Sequence, residues 1–208
     1  EYETPLITVY SHPWERVLFN PERNANPFFH LMDALWLLAG CSDVAPLAVF
    51  NKGIAEFSDN GQTFFGAYGW RLRRCGIDQL QAVVRLLKAD PNSRQAVLAL
   101  WDRYDLGTKT KDLPCNTHIY LKIRDARLNI TVCCRSNDAL WGAYGTNAVQ
   151  FSILQEYLAA CLGVGIGEYR QVSDSFHVYT ESAVYQRIMA TSYSGSPISY
   201  PQEHFPLI

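Results

Sequence analysis

No apolar run in this chain reaches the length a bilayer-spanning helix needs, and no block of basic residues offers a field for long nucleic acid. Lys and Arg number 18 against 20 Asp and Glu, for a formal charge of −2, so an anionic ligand has to be caught by a few placed arginines. The six cysteines (Cys41, Cys75, Cys115, Cys133, Cys134, Cys161) form no C-x-x-C pair, and no histidines stand at zinc-finger spacing, which argues against a structural metal. A reduced compartment suits them better than a disulfide-built fold, and most are expected as buried small hydrophobes. Linkers, charge blocks, repeats and low-complexity tracts are also missing, so one domain is expected over residues 1–208. The first residues, Glu1-Tyr2-Glu3-Thr4-Pro5, show no signal-peptide pattern, and cytoplasmic residence is the expectation.

What is present is core-forming material: 48% of the residues are hydrophobic and 13% aromatic, which disfavours disorder. Asn26-Pro27-Phe28 to Ala39-Gly40 reads as a buried helix, with Asn at the N-cap, Pro at the first position and Gly just past the end. Its apolar residues run nearly all round, interrupted by His30 and by Asp33, a carboxylate expensive to bury without a partner. Leu80, Val83, Val84 and Leu87 place a second helix over Asp78 to Ala89. Strands are predicted at Gln95 to Trp101, Thr117 to Ile123 and Leu128 to Cys134, the last two joined across Arg124-Asp125-Ala126-Arg127 as a hairpin. A long helix follows from Asn147 to Leu162, stopped by Gly163, then a strand from Glu168 to Tyr179 and a helix near Ser182 to Ala190. Clustered strands with interleaved helices indicate the α+β class, a mixed or antiparallel sheet packed by helices.

The chemistry concentrates in Asp112-Leu113-Pro114-Cys115-Asn116-Thr117, in Arg135-Ser136-Asn137-Asp138 and in Asn147. A nucleophilic thiol, an arginine able to hold an anion and polarise that thiol, and an amide able to read a heterocycle point to covalent chemistry on a nucleotide. A cysteine-hydrolase triad of Cys115 with His118 or His177 and an Asp is a competing reading, but it leaves Arg135-Ser136-Asn137-Asp138 unexplained.

The ordered set of Asp90-Pro91-Asn92-Ser93-Arg94, Pro114-Cys115, Arg135-Ser136-Asn137-Asp138, Gly142, Asn147, Asp174 and His177-Val178-Tyr179 resembles the thymidylate synthase and deoxycytidylate hydroxymethylase family, from about Asn26 to Tyr179. In style the motifs stand closer to phage hydroxymethylases than to cellular thymidylate synthases. The resemblance implies a thymidylate synthase-like fold, a homodimer built sheet to sheet, and a pyrimidine deoxynucleoside monophosphate as substrate. It also implies 5,10-methylenetetrahydrofolate as co-substrate and no metal. Cys115 would be the nucleophile that adds to carbon 6 of the base, and Arg135 its activating cation. Arg135 and Ser136 would hold the 5′-phosphate, with Arg94 reaching across the dimer. Asn147 would read the base, His177 and Tyr179 the sugar hydroxyl, Asp138 the pterin, and Tyr68 would help to order the catalytic water. Asn147 is also a good helix N-cap type. As a reader it favours uracil, which offers N3–H and O4, over cytosine, which shows the reverse pattern.

Three positions and one stretch depart from the pattern that the resemblance sets. Asp33 stands in place of the family's catalytic Glu, Asn116 in place of a His, and Gln95 in place of a second arginine, which leaves the phosphate grip weaker or shared with an arginine such as Arg23. Around Gly53-Ile54-Ala55 there is none of the tryptophan shielding of thymidylate synthases. Less shielding from water implies hydroxymethylation of dUMP somewhat ahead of methylation to dTMP, with dCMP a lesser candidate and a non-catalytic nucleotide-binding protein a further alternative.

Overall fold

The computed structural model describes residues 1–191. The segment Tyr200-Pro201-Gln202, whose relation to the site the sequence leaves open, lies outside them. Among the described residues five strands, β1 (Leu6–Tyr10), β2 (Val97–Ala99), β3 (Asn116–Arg124), β4 (Arg127–Asp138) and β5 (Gly165–His177), form one sheet in the order β1-β5-β4-β3-β2. Only β4 and β5 run parallel, so the sheet is mixed, and the chain returns between them through α5 (Asn147–Leu162). The other helices are α1 (Pro27–Ala39), α2 (Ala45–Ala48), α3 (Tyr68–Arg73), α4 (Gln79–Ala89) and α6 (Ala183–Ala190).

The expected caps form. Asn26 accepts from the Phe28 and Phe29 amides, Pro27 opens α1, and Gly40 ends it at φ +70°. The hairpin turn holds Asp125 and Ala126 both at positive φ, as a two-residue turn between twisted strands requires. One sheet face packs Leu98, Ile119, Leu121, Ile130 and Val132 against Leu80, Val83 and Leu87 of α4 and Phe151, Leu154 and Leu158 of α5. Tyr68 opens α3, which is brought close to α1 at Gly69, where a β-carbon would lie 2.4 Å from the Leu37 carbonyl oxygen.

Four expectations need correction. The strand read at Gln95 to Trp101 shrinks to Val97–Ala99, because Leu100 and Trp101 both turn their amides to the Thr117 carbonyl. The strand read at Glu168 to Tyr179 starts at Gly165 and stops at His177, leaving Tyr179 beyond it and exposed. Helix α1 is buried on one side only, with Phe28, Leu31 and Leu35 exposed. Of the cysteines only Cys134 is fully buried, while Cys75 is exposed and the others lie between.

Candidate active site

The site is organised by the Tyr68 hydroxyl. Its oxygen accepts from the Cys115 amide at 3.2 Å, the Asn116 amide at 3.3 Å and Asn116 Nδ2 at 2.9 Å, fixing the start of β3 where the nucleophile candidate sits. Arg135 lies alongside: Nε donates to the Pro114 carbonyl at 2.9 Å, Nη2 to the Leu113 carbonyl at 3.2 Å, and Nη2 stands 3.9 Å from Cys115 Sγ. Its guanidinium lies 5.6 Å from the Trp101 ring centroid. Burial pushes the Cys115 thiol up, Arg135 pulls it down and Asp112 pushes it up again, for a net rise. The arginine therefore stands where the sequence places it, but burial outweighs its pull.

A cleft of about 260 Å³, reached from the Cys115 segment through Tyr68 and Asp112, is lined by Asp33, Tyr68, Asp112, Asn147 and Gln150 on polar walls and by Trp36, Leu47, Ile54, Phe57 and Phe64 on apolar ones. Asp33 is buried, and neither its Oδ2 nor Gln150 Oε1 has a hydrogen-bond partner among the described residues. Burial raises the Asp33 carboxyl to about 7, so near neutrality it both holds and releases a proton. Asp112, two residues before Pro114, accepts from the Gly66 amide at 2.8 Å, and burial raises its carboxyl too.

Asn147 is the first residue of α5, and its side chain caps nothing. Its Oδ1 accepts from Asn116 Nδ2 at 3.4 Å, and its Nδ2 donates to Asn137 Oδ1 at 3.2 Å. The N-cap alternative is therefore excluded. Ahead of it the chain makes a π-type turn over Ala139–Thr146, in which Gly142 lets the Asn137 amide through: a β-carbon there would sit 2.1 Å from Asn137 Oδ1.

The remaining candidates gather less tightly. Ser136 is half-buried on β4, and Asp138 Oδ1 caps the π-type turn by accepting from the Leu140 and Trp141 amides. The His177 and Tyr179 rings meet edge to face at 5.1 Å although only His177 belongs to a strand. Arg94 is exposed and makes no hydrogen bond or ion pair among the described residues. Arg23 is buried, donating from Nε to the Leu140 carbonyl at 2.8 Å with its guanidinium 4.5 Å from the Trp141 ring centroid. Sequence reasoning gave no role to Asp112, Asn137, Gln171 and Ser173. A legible signal existed for the last two, since the inward positions 169, 171 and 173 of β5 become polar where an apolar core is the rule.

The fold and this constellation define a class. The sequence profile of the thymidylate synthase family matches residues 28–197, and the chain belongs to that family. It is 51% identical over 183 residues to a deoxyuridylate hydroxymethyltransferase of Pseudomonas phage M6, covering 86% of this chain and 52% of that protein. It is 40% identical over 190 residues to a deoxyuridylate hydroxymethyltransferase of Bacillus phage SP01, covering 85% and 50%. The chain thus spans about half the length of these relatives. The thymidylate synthase of T4 phage shares the fold, with a TM-score of 0.73 over 94% of this chain and 72% of that one at 16% identity. Among the described residues no cluster of three His, Cys, Asp or Glu side chains suits a metal ion, and no helix is long and apolar enough to cross a membrane.

Proposed function

We propose that this chain acts as one catalytic domain in the cytoplasm, transferring a one-carbon unit from 5,10-methylenetetrahydrofolate to carbon 5 of dUMP and giving the 5-hydroxymethyl nucleotide. The observation that carries the reading is the Cys115 thiol with the Arg135 guanidinium 3.9 Å away, its backbone amide bound to Tyr68, which itself lines a cleft walled by a carboxylate and a carboxamide. The activity in the names of the two phage relatives supports the same substrate and product.

Carbon 5 of a pyrimidine is a poor nucleophile. Sulfur addition from Cys115 to carbon 6 moves the ring π electrons toward carbon 5 and O4, and only then can carbon 5 attack. Arg135 stabilises the thiolate and, with Ser136, holds the 5′-phosphate, with Arg94 of a second copy completing the grip. Asp33, poised near 7, passes protons to and from the base through water. His177 and Tyr179 hold the sugar hydroxyl. The folate, when bound, supplies a carbon at the formaldehyde oxidation level. The residues present fit it: Leu47, Ile54 and Phe57 offer an apolar shelf, and Asp138 uses Oδ1 for its cap and, among the described residues, leaves Oδ2 for a ring N–H.

Hydroxymethylation ends with water on the transferred carbon, methylation with hydride. Trp36, Phe57 and Phe64 on the cleft wall favour exclusion of water and hence the second reading, dTMP synthesis. Incubation with dUMP and methylenetetrahydrofolate separates the two: the expected product has the hydroxymethyl mass with no rise in dihydrofolate absorbance. A methylated product with matching dihydrofolate sinks the hydroxymethyl reading. Absence of tritium release from carbon 5 of labelled dUMP sinks catalysis altogether.

A further inference from the structure

Resting on the assignment of Asn147 as the base reader, we infer that Asn137, held by Gln171 and Ser173, is the positioning residue that makes that reading specific for uracil. A carboxamide alone cannot choose between the two pyrimidines. Presented one way, its oxygen accepts from uracil N3–H and its nitrogen donates to O4; rotated by half a turn about the terminal bond, it presents the complementary pattern to cytosine N3 and the 4-amino group. Discrimination requires that the rotation be forbidden, and the buried network around Asn147 forbids it.

One backbone group fixes the direction of the whole network. The Asn147 backbone carbonyl can only accept, so the Tyr169 hydroxyl, 3.2 Å from it, donates there and must itself accept from Gln171 Nε2. That turns Gln171 Oε1 toward Asn137, whose Nδ2 donates to it at 2.8 Å and to Ser173 Oγ at 2.9 Å. With both protons of its nitrogen committed, Asn137 shows Asn147 only its oxygen, and Asn147 Nδ2 donates to it. From the other side, Asn116 Nδ2 places one proton on the Tyr68 oxygen and the other on Asn147 Oδ1, while Asn116 Oδ1 accepts from the Cys134 thiol. Both flanks agree. Among the described residues Asn147 is left with one unused acceptor site and one unused N–H, in the arrangement complementary to uracil. A rotated amide would set oxygen against oxygen at Asn137 and NH₂ against NH₂ at Asn116, two mismatches among buried groups.

Binding of dUMP and dCMP by titration calorimetry, without folate, tests the inference independently of the chemistry that follows. Asn137→Leu removes the oxygen that holds Asn147 Nδ2 and is expected to lower the preference for dUMP over dCMP by at least about tenfold, mainly by admitting dCMP. A preference unchanged within a factor of about two overturns the lock. Should that variant fail to fold, Gln171→Leu, which frees one Asn137 proton, is expected to lower the preference several-fold, and no change there overturns the lock equally. Asn147→Asp separates the underlying assignment. If it leaves the ratio of the two affinities alone, the base-reading role itself fails. If it turns the preference to dCMP while Asn137→Leu and Gln171→Leu do nothing, only the lock fails.

Discussion

Cys115 is caught between an arginine that favours its thiolate and a buried, carboxylate-flanked setting that opposes it, and the second influence prevails before substrate binds. A phosphate on Arg135 would weaken the arginine's pull further, so orientation of the bound ring rather than resting reactivity has to compensate. Asp112→Asn keeps an oxygen for the Gly66 amide while removing the negative charge. It is expected to speed iodoacetamide alkylation of Cys115 at pH 7 by up to about tenfold, the change that one pKa unit makes in the thiolate fraction. An alkylation rate equal to that of the parent protein removes Asp112 from the balance. Asp33 gives a second residue-level expectation. Its carboxyl moves from 3.8 unfolded to about 7 folded, so the folded state holds the proton more tightly, and stability is full below about 4 and declines as pH rises through 7. The decline is on the order of 4 kcal/mol. Buried His30, lowered from 6.5 to about 4 by burial and by Arg23, acts oppositely, losing its contribution as pH falls through the same window. The informative quantity is therefore the difference between Asp33→Asn and the parent. Urea midpoints are expected to be similar at pH 4 and to diverge in favour of the variant toward pH 8, and parallel profiles contradict a buried, ionising Asp33.

At the scale of single elements, the turn between β3 and β4 carries Ala126 at φ +54°, a conformation that a β-carbon disfavours. Ala126→Gly is expected to stabilise the protein by about 0.5–1 kcal/mol, read as a higher urea midpoint at unchanged slope; a fall would show that the added freedom of the unfolded chain outweighs the relief. The same hairpin shows why some elements were legible. Arg124-Asp125-Ala126-Arg127 between two alternating runs marks itself, as do Asn26-Pro27 and Gly40 at the ends of α1, because each signal lies within a few residues of what it determines. Strand β1 was not legible: its strongest β-formers, Ile7 and Val9, face outward, and its partner β5 lies more than 150 residues along the chain. The site divides the same way. Cys115, Arg135 and Asn147 could be named from local motifs; the alternation of β5 marks Gln171 and Ser173 as inward polar positions, but what they do, like what Asn137 does, follows only when β4 and β5 pair and bring these side chains under Asn147.

Across the whole molecule, the registers align Ile7, Val172, Cys133, His118 and Ala99 in one row and Val9, Arg170, Thr131, Tyr120 and Val97 in the next, on the sheet face away from the helices. Ile7, Val9, Val97 and Tyr120 are exposed there, more apolar surface than a strand face turned to water usually carries. That face suits the sheet-to-sheet homodimer that we propose, with Arg94 projecting from the approach to β2 into the partner's phosphate site. A two-fold dimer has a consequence that a monomer with Arg94 acting on its own site lacks. Mixing Cys115→Ser with Arg94→Ala, each nearly inactive alone, builds heterodimers in which one of the two sites holds an intact cysteine from one copy and an intact arginine from the other. Random exchange of equal amounts makes half the dimers mixed, so about a quarter of parental activity is expected to return. The recovery should vanish when Tyr120→Asp is added to both variants, since two like charges would then be buried in the shared face. No recovery in a mixture shown by sedimentation to contain exchanged dimers would place Arg94 in its own subunit's site, and a sedimenting monomer with full activity would dispense with the second copy altogether.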